Sequence, residues 1–316
     1  MRDNPRILTW VFIFAALISA SAVIIAAVII RNQERQLQPT ATISNHIFDR
    51  GKIIFHSDRD YIGQIYIISP DSGDAKRLTN LADQNSVWYP AWSPSMEQIA
   101  FMVNAGGNIE IYIMDLVSKK VTNLTNDPAS DPDPSWSPDG KKIAFRSYRA
   151  GNSEIYTINV DGSGLTRITN NNCTDQTPSW SPDGTRIAYS SDCTGNLEIY
   201  LLNLDGNPFP IQLTHNDYED NDPEWSPDGR KIAFYAGYEG AFDIYTVNVD
   251  GSNLTNVTSD ASNNQHPTWS PDGQKIAFQS DRSGNFDIYV INIDGSQIQR
   301  ITIHPAYDGE PAWSLH

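Results

Sequence analysis

The chain has 316 residues, 39% of them apolar, and a net charge of −16. That is enough apolar matter for one large core or two modest ones. The acidic balance, with no Lys/Arg-rich run to offset it, excludes nucleic acid as a natural partner, because a phosphate backbone is repelled by such a surface.

Taken from the N-terminus, residues 1–6 precede an uncharged stretch of 24 residues, 7–30. It exceeds the ~20 residues that cross a bilayer as a helix and the ~7–15 of a signal-peptide core, so it is expected to be a transmembrane signal anchor. The competing expectation is a signal peptide cleaved at Ala20-Ser21-Ala22, against which residues 23–30 continue apolar. Arg2 and Arg6 before the stretch balance Arg31 and Arg35 after it. Orientation therefore follows from the long polar domain behind a first apolar segment, which places residues 1–6 in the cytoplasm and exports the remainder. Residues 31–50 have no sustained period and read as a tether.

From residue 51 the chain repeats. Trp-Ser pairs stand at Trp92, Trp136, Trp180, Trp225, Trp269 and Trp313, spaced 44, 44, 45, 44 and 44 residues apart. A period this regular marks a repeat array. Each period holds four short strand patterns, read in residues 135–170 as SWS, KKIAFRS, EIYTINV and LTRIT. Ser-Pro-Asp-Gly and Asp-Gly-Ser-Gly separate them, with proline pre-setting φ and glycine supplying positive φ at the turns. Apolar side chains at neighbouring positions, as in Ile143-Ala144-Phe145, predict a sheet buried on both faces. A four-stranded sheet covered on both sides by copies of itself is a propeller blade.

The ends of the array are complementary. Residues 51–79 supply second, third and fourth strands with no first, and Pro311-Ala312-Trp313-Ser314 supplies a first strand with nothing after it. Joined, they complete a sixth blade and remove both sheet edges. The expected fold is an all-β, six-bladed propeller of four-stranded antiparallel blades spanning 51–316, closed by its C-terminal strand and preceded by one transmembrane helix.

Trp-Ser-Pro-Asp-Gly-Lys-Lys-Ile-Ala-Phe followed by Glu-Ile-Tyr, Asp-Gly-Ser and Arg-Ile-Thr resembles the TolB-type, WD40-like propeller repeat of bacterial exported proteins. The resemblance implies contact with a protein through the propeller mouth. A similar propeller caps the prolyl oligopeptidase class of serine hydrolases, but the Gly-x-Ser-x-Gly pentapeptide of their catalytic domain is absent here.

Function in a repeat protein sits where the copies differ. Here that is the fourth-to-first-strand loops, which share one face, the top, with the second-to-third-strand turns. Aligned on their last proline, the loops place Val87, Asp131, Asp175, Asp220, Asn264 and Asp308 three residues before it. Tyr89, Asp133, Thr177, Asp222, His266 and Glu310 stand one residue before it. Both columns are expected to ring the channel mouth. Asp131, Asp175, Asp220 and Asp308 are a candidate oxygen-ligand set for calcium. With Asp133, Asp222, His266 and Glu310 they are candidates for holding a basic segment of another envelope protein or a peptide; the bland alternative is that they solubilise the face and cap turns.

Cys173 and Cys193 fall in the same blade on the same face, and an exported domain keeps disulfides, so a Cys173–Cys193 bridge is expected. Arg59, Arg149 and Arg282 in the top turns are expected to pair with nearby carboxylates. The function these features support is a monomeric, membrane-anchored, extracytoplasmic binding module without catalytic residues. The alternatives are a metal-dependent hydrolase or lyase at the channel mouth and a purely structural scaffold.

Overall fold

Ile143, Ala144 and Phe145 are all fully buried although they are adjacent in sequence. A strand can bury consecutive side chains only if both faces of its sheet are covered, and this computed structural model shows what covers them. It describes residues 51–81, 85–205, 209–238 and 240–314, and among these there is no helix. The anchor expected at 7–30 and the tether at 31–50 lie outside the described residues.

Six four-stranded sheets follow one another. The fourth blade is typical, with strands Asp175–Trp180, Arg186–Ser191, Glu198–Asn203 and Ile211–Gln212 paired antiparallel in that order. Neighbouring blades share apolar layers. Ala100, Ile111 and Ile113 of the second pack with Trp136, Ile143 and Phe145 of the third.

The ring closes as the sequence predicts. Asp308–Trp313 lies beside Ile53–Ser57 and completes the first blade, with Ile53 opposite Trp313 and Ile54 opposite Ala312. The Ser314 amide donates to the Lys52 carbonyl at 2.9 Å, the bond that Ser137 makes to Lys142 in the third blade. Lys52 thus occupies the place where other blades have just left their Ser-Pro-Asp-Gly turn.

The copied tryptophans join blades. The indole Nε1 of Trp92, Trp136, Trp225 and Trp269 donates to Ala312, Ala91, Ser179 and Glu224 carbonyls at 3.1–3.2 Å, always on the preceding inner strand. In the Ser-Pro-Asp-Gly turns, Gly140 has φ 69° and its amide closes on the Ser137 carbonyl at 2.9 Å. In the second blade Met96 takes that role at φ 57°, a conformation that costs a side-chain-bearing residue about 1 kcal/mol.

Two strands differ from the sequence expectation. The outer strand shrinks to pairs such as Thr166–Arg167, because an edge strand is held from one side only. Inner strands such as Asp175–Trp180 start inside what reads as loop, because the loop's tail pairs with the far end of the second strand, Asp175 opposite Ser191.

Cys173 and Cys193 form the expected disulfide, with Cα atoms 5.1 Å apart and a sequence separation of 20. Replacing both by serine is expected to lower stability by about 3 kcal/mol, the loop-closure entropy of such a bridge. Denaturant midpoints of the two proteins measure this; equal midpoints would assign the bridge no stabilising role.

Candidate functional site

Proline cannot donate to a sheet ladder, so the inner strand must interrupt its pairing at the proline that ends each top loop. In five blades the register slips there by one residue, for example between Asn221 and Glu224 of the fifth. The residue before each proline takes up the slip in the left-handed region: Tyr89 at φ 51°, Asp133 at 63°, Thr177 at 49°, Asp222 at 59°, His266 at 53° and Glu310 at 48°. None is glycine, so each carries strain of about 1–2 kcal/mol. All six line one central cavity of about 340 Å³, whose wall continues down through the following prolines to five of the repeated tryptophans, Trp92, Trp136, Trp180, Trp225 and Trp313.

The acids in this ring are paired. Asp222 Oδ2 lies 2.6 Å from His266 Nδ1, and Glu310 Oε2 lies 3.3 Å from His56 Nδ1. Asp133 Oδ2 lies 2.9 Å from Arg146 Nε, an ion pair without hydrogen-bond alignment. The Tyr89 hydroxyl touches the His266 ring at 3.3 Å. Thr177 Oγ1 donates to Asn221 Oδ1 at 3.1 Å.

Burial works against a charged His266, but Asp222 outweighs it and raises its pKa; Glu310 does the same for His56. Burial opposes ionisation of Glu310, and His56 more than compensates, holding its carboxyl low. Asp133 is raised, chiefly by burial, in spite of Arg146. Deeper on the fifth inner strand, burial and then repulsion from Asp222 push Glu224 up to about 8, and its carboxyl is 3.2 Å from Ser179 Oγ. The mouth therefore presents two carboxylate–histidine pairs, the Asp133–Arg146 ion pair, hydroxyls and, in Glu224, a carboxyl that burial makes reluctant to ionise, above a floor of proline and tryptophan.

The column three residues before the proline is elsewhere. Asp131, Asp175, Asp220 and Asp308 are fully buried, each held within the blade framework. Asp131 pairs with Arg149 at 2.6 Å and Asp308 with Arg59 at 2.9 Å, as expected of those arginines, while Arg282 pairs with Asp260 at 2.9 Å. Asp175 accepts from Ser191 Oγ at 2.6 Å and Asp220 from Asn216 Nδ2 at 2.7 Å. The four do not gather at the axis, because the register slip separates them from the column that does. Among the described residues no group of three or more His, Cys, Asp or Glu side chains is arranged to hold a metal.

Asp220 stands out within that column. Its neighbour across the blade junction, Glu198, is buried as well, and Asp220 Oδ1 and Glu198 Oε2 both lack a hydrogen-bond partner. In the third blade Arg167 pairs with Glu154 at 2.7 Å; the corresponding fourth-blade residue is the uncharged Gln212, which donates to the Thr214 carbonyl at 2.9 Å and to Thr194 Oγ1 at 3.5 Å. The slot of Arg149 is filled in the fifth blade by Tyr238, whose ring is tilted against that of Tyr218 with centroids 5.1 Å apart. Burial first, and then Glu198, raise the Asp220 pKa.

His56, Arg146 and Glu224 escaped sequence reasoning. Glu224 carried a signal, since it follows Asp222 by two positions on one strand. His56 carried none, because its partner Glu310 is 254 residues away.

Against known proteins, the TolB beta propeller domain family matches residues 84–208 and 177–316. The chain belongs to this family. A six-bladed TolB-type ring built on this repeat is accordingly both what the family match and what the geometry show. TolB from Acinetobacter baumannii is 24% identical with a TM-score of 0.74, covering 84% of this chain and 66% of that one, so the chain spans about two thirds of that TolB. The putative TolB from Agrobacterium tumefaciens is 23% identical with a TM-score of 0.65, covering 82% of this chain and 90% of that one. An oligogalacturonate lyase in complex with manganese shares the fold at 16% identity and a TM-score of 0.57, covering 81% and 74%. No curated protein matches the chain.

Proposed function

We propose that this TolB-type propeller is an extracytoplasmic binding module, anchored in the membrane through residues 7–30, that takes a segment of a partner protein or a peptide into its top mouth without catalysing a reaction. The observation that carries this reading is the ring of six strained, non-glycine residues before the prolines. Strain is retained where something other than stability selects it. Here it aims six different side chains into a cavity of about 340 Å³. That volume suits one or two side chains or a chain end, not a folded domain. Compensated ion pairs over an apolar floor favour a segment with a polar or basic head and an apolar or aromatic body.

A phage-displayed peptide library panned on the propeller tests this. Enriched peptides are expected to bind the wild type and to lose on the order of 10- to 100-fold in affinity to the Asp222→Asn/His266→Gln double variant, as removal of a central anchor does. The double substitution replaces both partners of the pair, so neither is left facing a missing partner. Failure to enrich any peptide, or unchanged binding by the variant, would remove the mouth from the binding reading.

A further inference from the structure

In three blades an arginine of the top turn bridges the inner and third strands. Arg59, Arg149 and Arg282 each donate from Nε to the serine two residues before, Ser57, Ser147 and Ser280, at 2.8–2.9 Å. The same guanidinium reaches the inner strand at Asp308, Asp131 or Asn264. It also covers the ring of Tyr66, Tyr156 or Tyr289, 4.5–5.2 Å from the centroid, and those three tyrosines are buried.

The fifth blade has the receptor without the arginine. Asp220 stands opposite Ala236 as Asp308 stands opposite Ser57, so the place of Arg59, two residues on, falls to Tyr238. Tyr238 turns outward: it is 48% exposed and donates its hydroxyl to the Asp217 carbonyl. Tyr245, the counterpart of Tyr156, is left partly exposed. Asp220 Oδ1 and Glu198 Oε2 are buried without a hydrogen-bond partner. The other two blades that lack the arginine differ. In the second, Val87 replaces the aspartate opposite Val103, and in the fourth Asp175 accepts from Ser191 Oγ and Asn171 Nδ2. Charge reinforces the contrast. Between residues 187 and 274 the lysines and arginines are Arg230 and Lys231 alone, both at a Ser-Pro-Asp-Gly turn on the opposite face. Glu198, Asp217, Glu219 and Asp220 thus share their side of the top with no lysine or arginine.

We infer that the top of the fifth blade binds a guanidinium group supplied by a ligand, which enters beside Asp220 and Glu198 and lies on the face of Tyr245, where three other blades use an arginine of their own. A planar guanidinium meets a carboxylate through a fork of N–H donors and stacks on an aromatic face at the same time. Hard metal ions take oxygen ligands and would leave the ring unused. None of these residues lines the central cavity, so the site is separate from the mouth and does not depend on what the mouth holds.

Isothermal titration of the full chain with two probes, acetyl-Gly-Arg-Gly-amide and agmatine, tests this. Both are expected to bind the wild type, and the Glu198→Gln/Asp220→Asn variant to bind them on the order of 30-fold more weakly, as loss of the carboxylate from a buried charge pair does. A peptide that binds more tightly than agmatine assigns the guanidinium to a partner protein, and equal affinities assign it to a small molecule; either sustains the site. No binding of either probe overturns it. Binding that survives in this variant but is lost with Asp222→Asn/His266→Gln places the guanidinium in the mouth and overturns it as well. Calcium that stabilises the wild type but not the Glu198→Gln/Asp220→Asn variant would make this a metal site, with the same consequence. In a second measurement, Ala236→Ser/Tyr238→Arg gives the fifth blade an arginine of its own. That variant is expected to unfold at higher denaturant without any probe and to bind neither one. A midpoint that does not rise, or probe bound as by the wild type, overturns the geometry.

Discussion

A chain lacking residues 308–316 is expected to unfold at least about 5 kcal/mol more easily than the intact protein and to aggregate when concentrated. The truncation removes the inner strand of the first blade and uncovers the edge of Ile53–Ser57. It also deletes Trp313, which is 8% exposed in the closed ring and packs with Phe55 and Ala277 across two blades. Loss of a buried tryptophan alone costs about 3–5 kcal/mol. The same cut leaves Arg59 without Asp308, its carboxylate at 2.9 Å, and stranding one partner of a buried pair is costly in its own right. It further removes the Ala312 carbonyl that accepts from Trp92 at 3.1 Å and the Glu310 carboxylate beside His56. An exposed strand edge then offers a template for pairing with another chain. Denaturant titration followed by tryptophan fluorescence measures the loss, and Trp313→Ala provides a milder version at about 3–4 kcal/mol. A truncated protein with an unchanged midpoint would mean that the first blade does not depend on its C-terminal strand.

The second large effect is on pH. Glu224 and Asp220 are carboxyls whose folded-state pKa is raised, Glu224 to about 8. The folded state therefore holds protons that the unfolded chain has already released above its ordinary carboxyl range. Stability must fall as pH rises through that window, by up to about 1.4 kcal/mol per pH unit for each such group. His266 and His56 add in the same direction. Their pairing with Asp222 and Glu310 raises their pKa, so its stabilisation is complete below the unfolded histidine pKa and is lost as pH climbs through the folded one. Glu310 acts in the opposite sense, but its lowered pKa matters only in acid. The propeller is therefore expected to be most stable near about pH 5–6 and to lose on the order of 3 kcal/mol by about pH 8.5, after allowance for solvent screening in the channel. Glu224→Gln should leave the stability at the acidic end unchanged and recover part of the loss at the alkaline end; Asp220→Asn should recover another part independently. Unfolding free energies of the three proteins at the two pH values decide this. A slope that neither substitution flattens would assign the pH dependence to other groups.

What the sequence determined by itself is everything written in local period and turn chemistry. The 44-residue spacing of Trp92, Trp136, Trp180, Trp225, Trp269 and Trp313 gave blade number; Ser-Pro-Asp-Gly gave the turns; and the unmatched halves at Gly51 and Trp313 gave closure, since each is useless without the other. The cysteine pair was legible for the same reason, because repeat alignment places Cys173 and Cys193 on one face of one blade.

What only the tertiary structure decided is which residues face the axis. Side chains alternate along a strand with a period of two, so residues three and one before a proline should share a face. The slip between Asn221 and Glu224 and its counterparts break that parity. It sends Asp222, His266 and Glu310 into the channel and buries Asp131, Asp175, Asp220 and Asp308 among the blades. The proline in each top loop marks where the ladder must break, but not which face the side chains on either side of the break then take. The charges that neutralise the mouth were equally unreadable, because Glu310 finds His56 and Asp222 finds His266 across blade boundaries that exist only once the ring has closed.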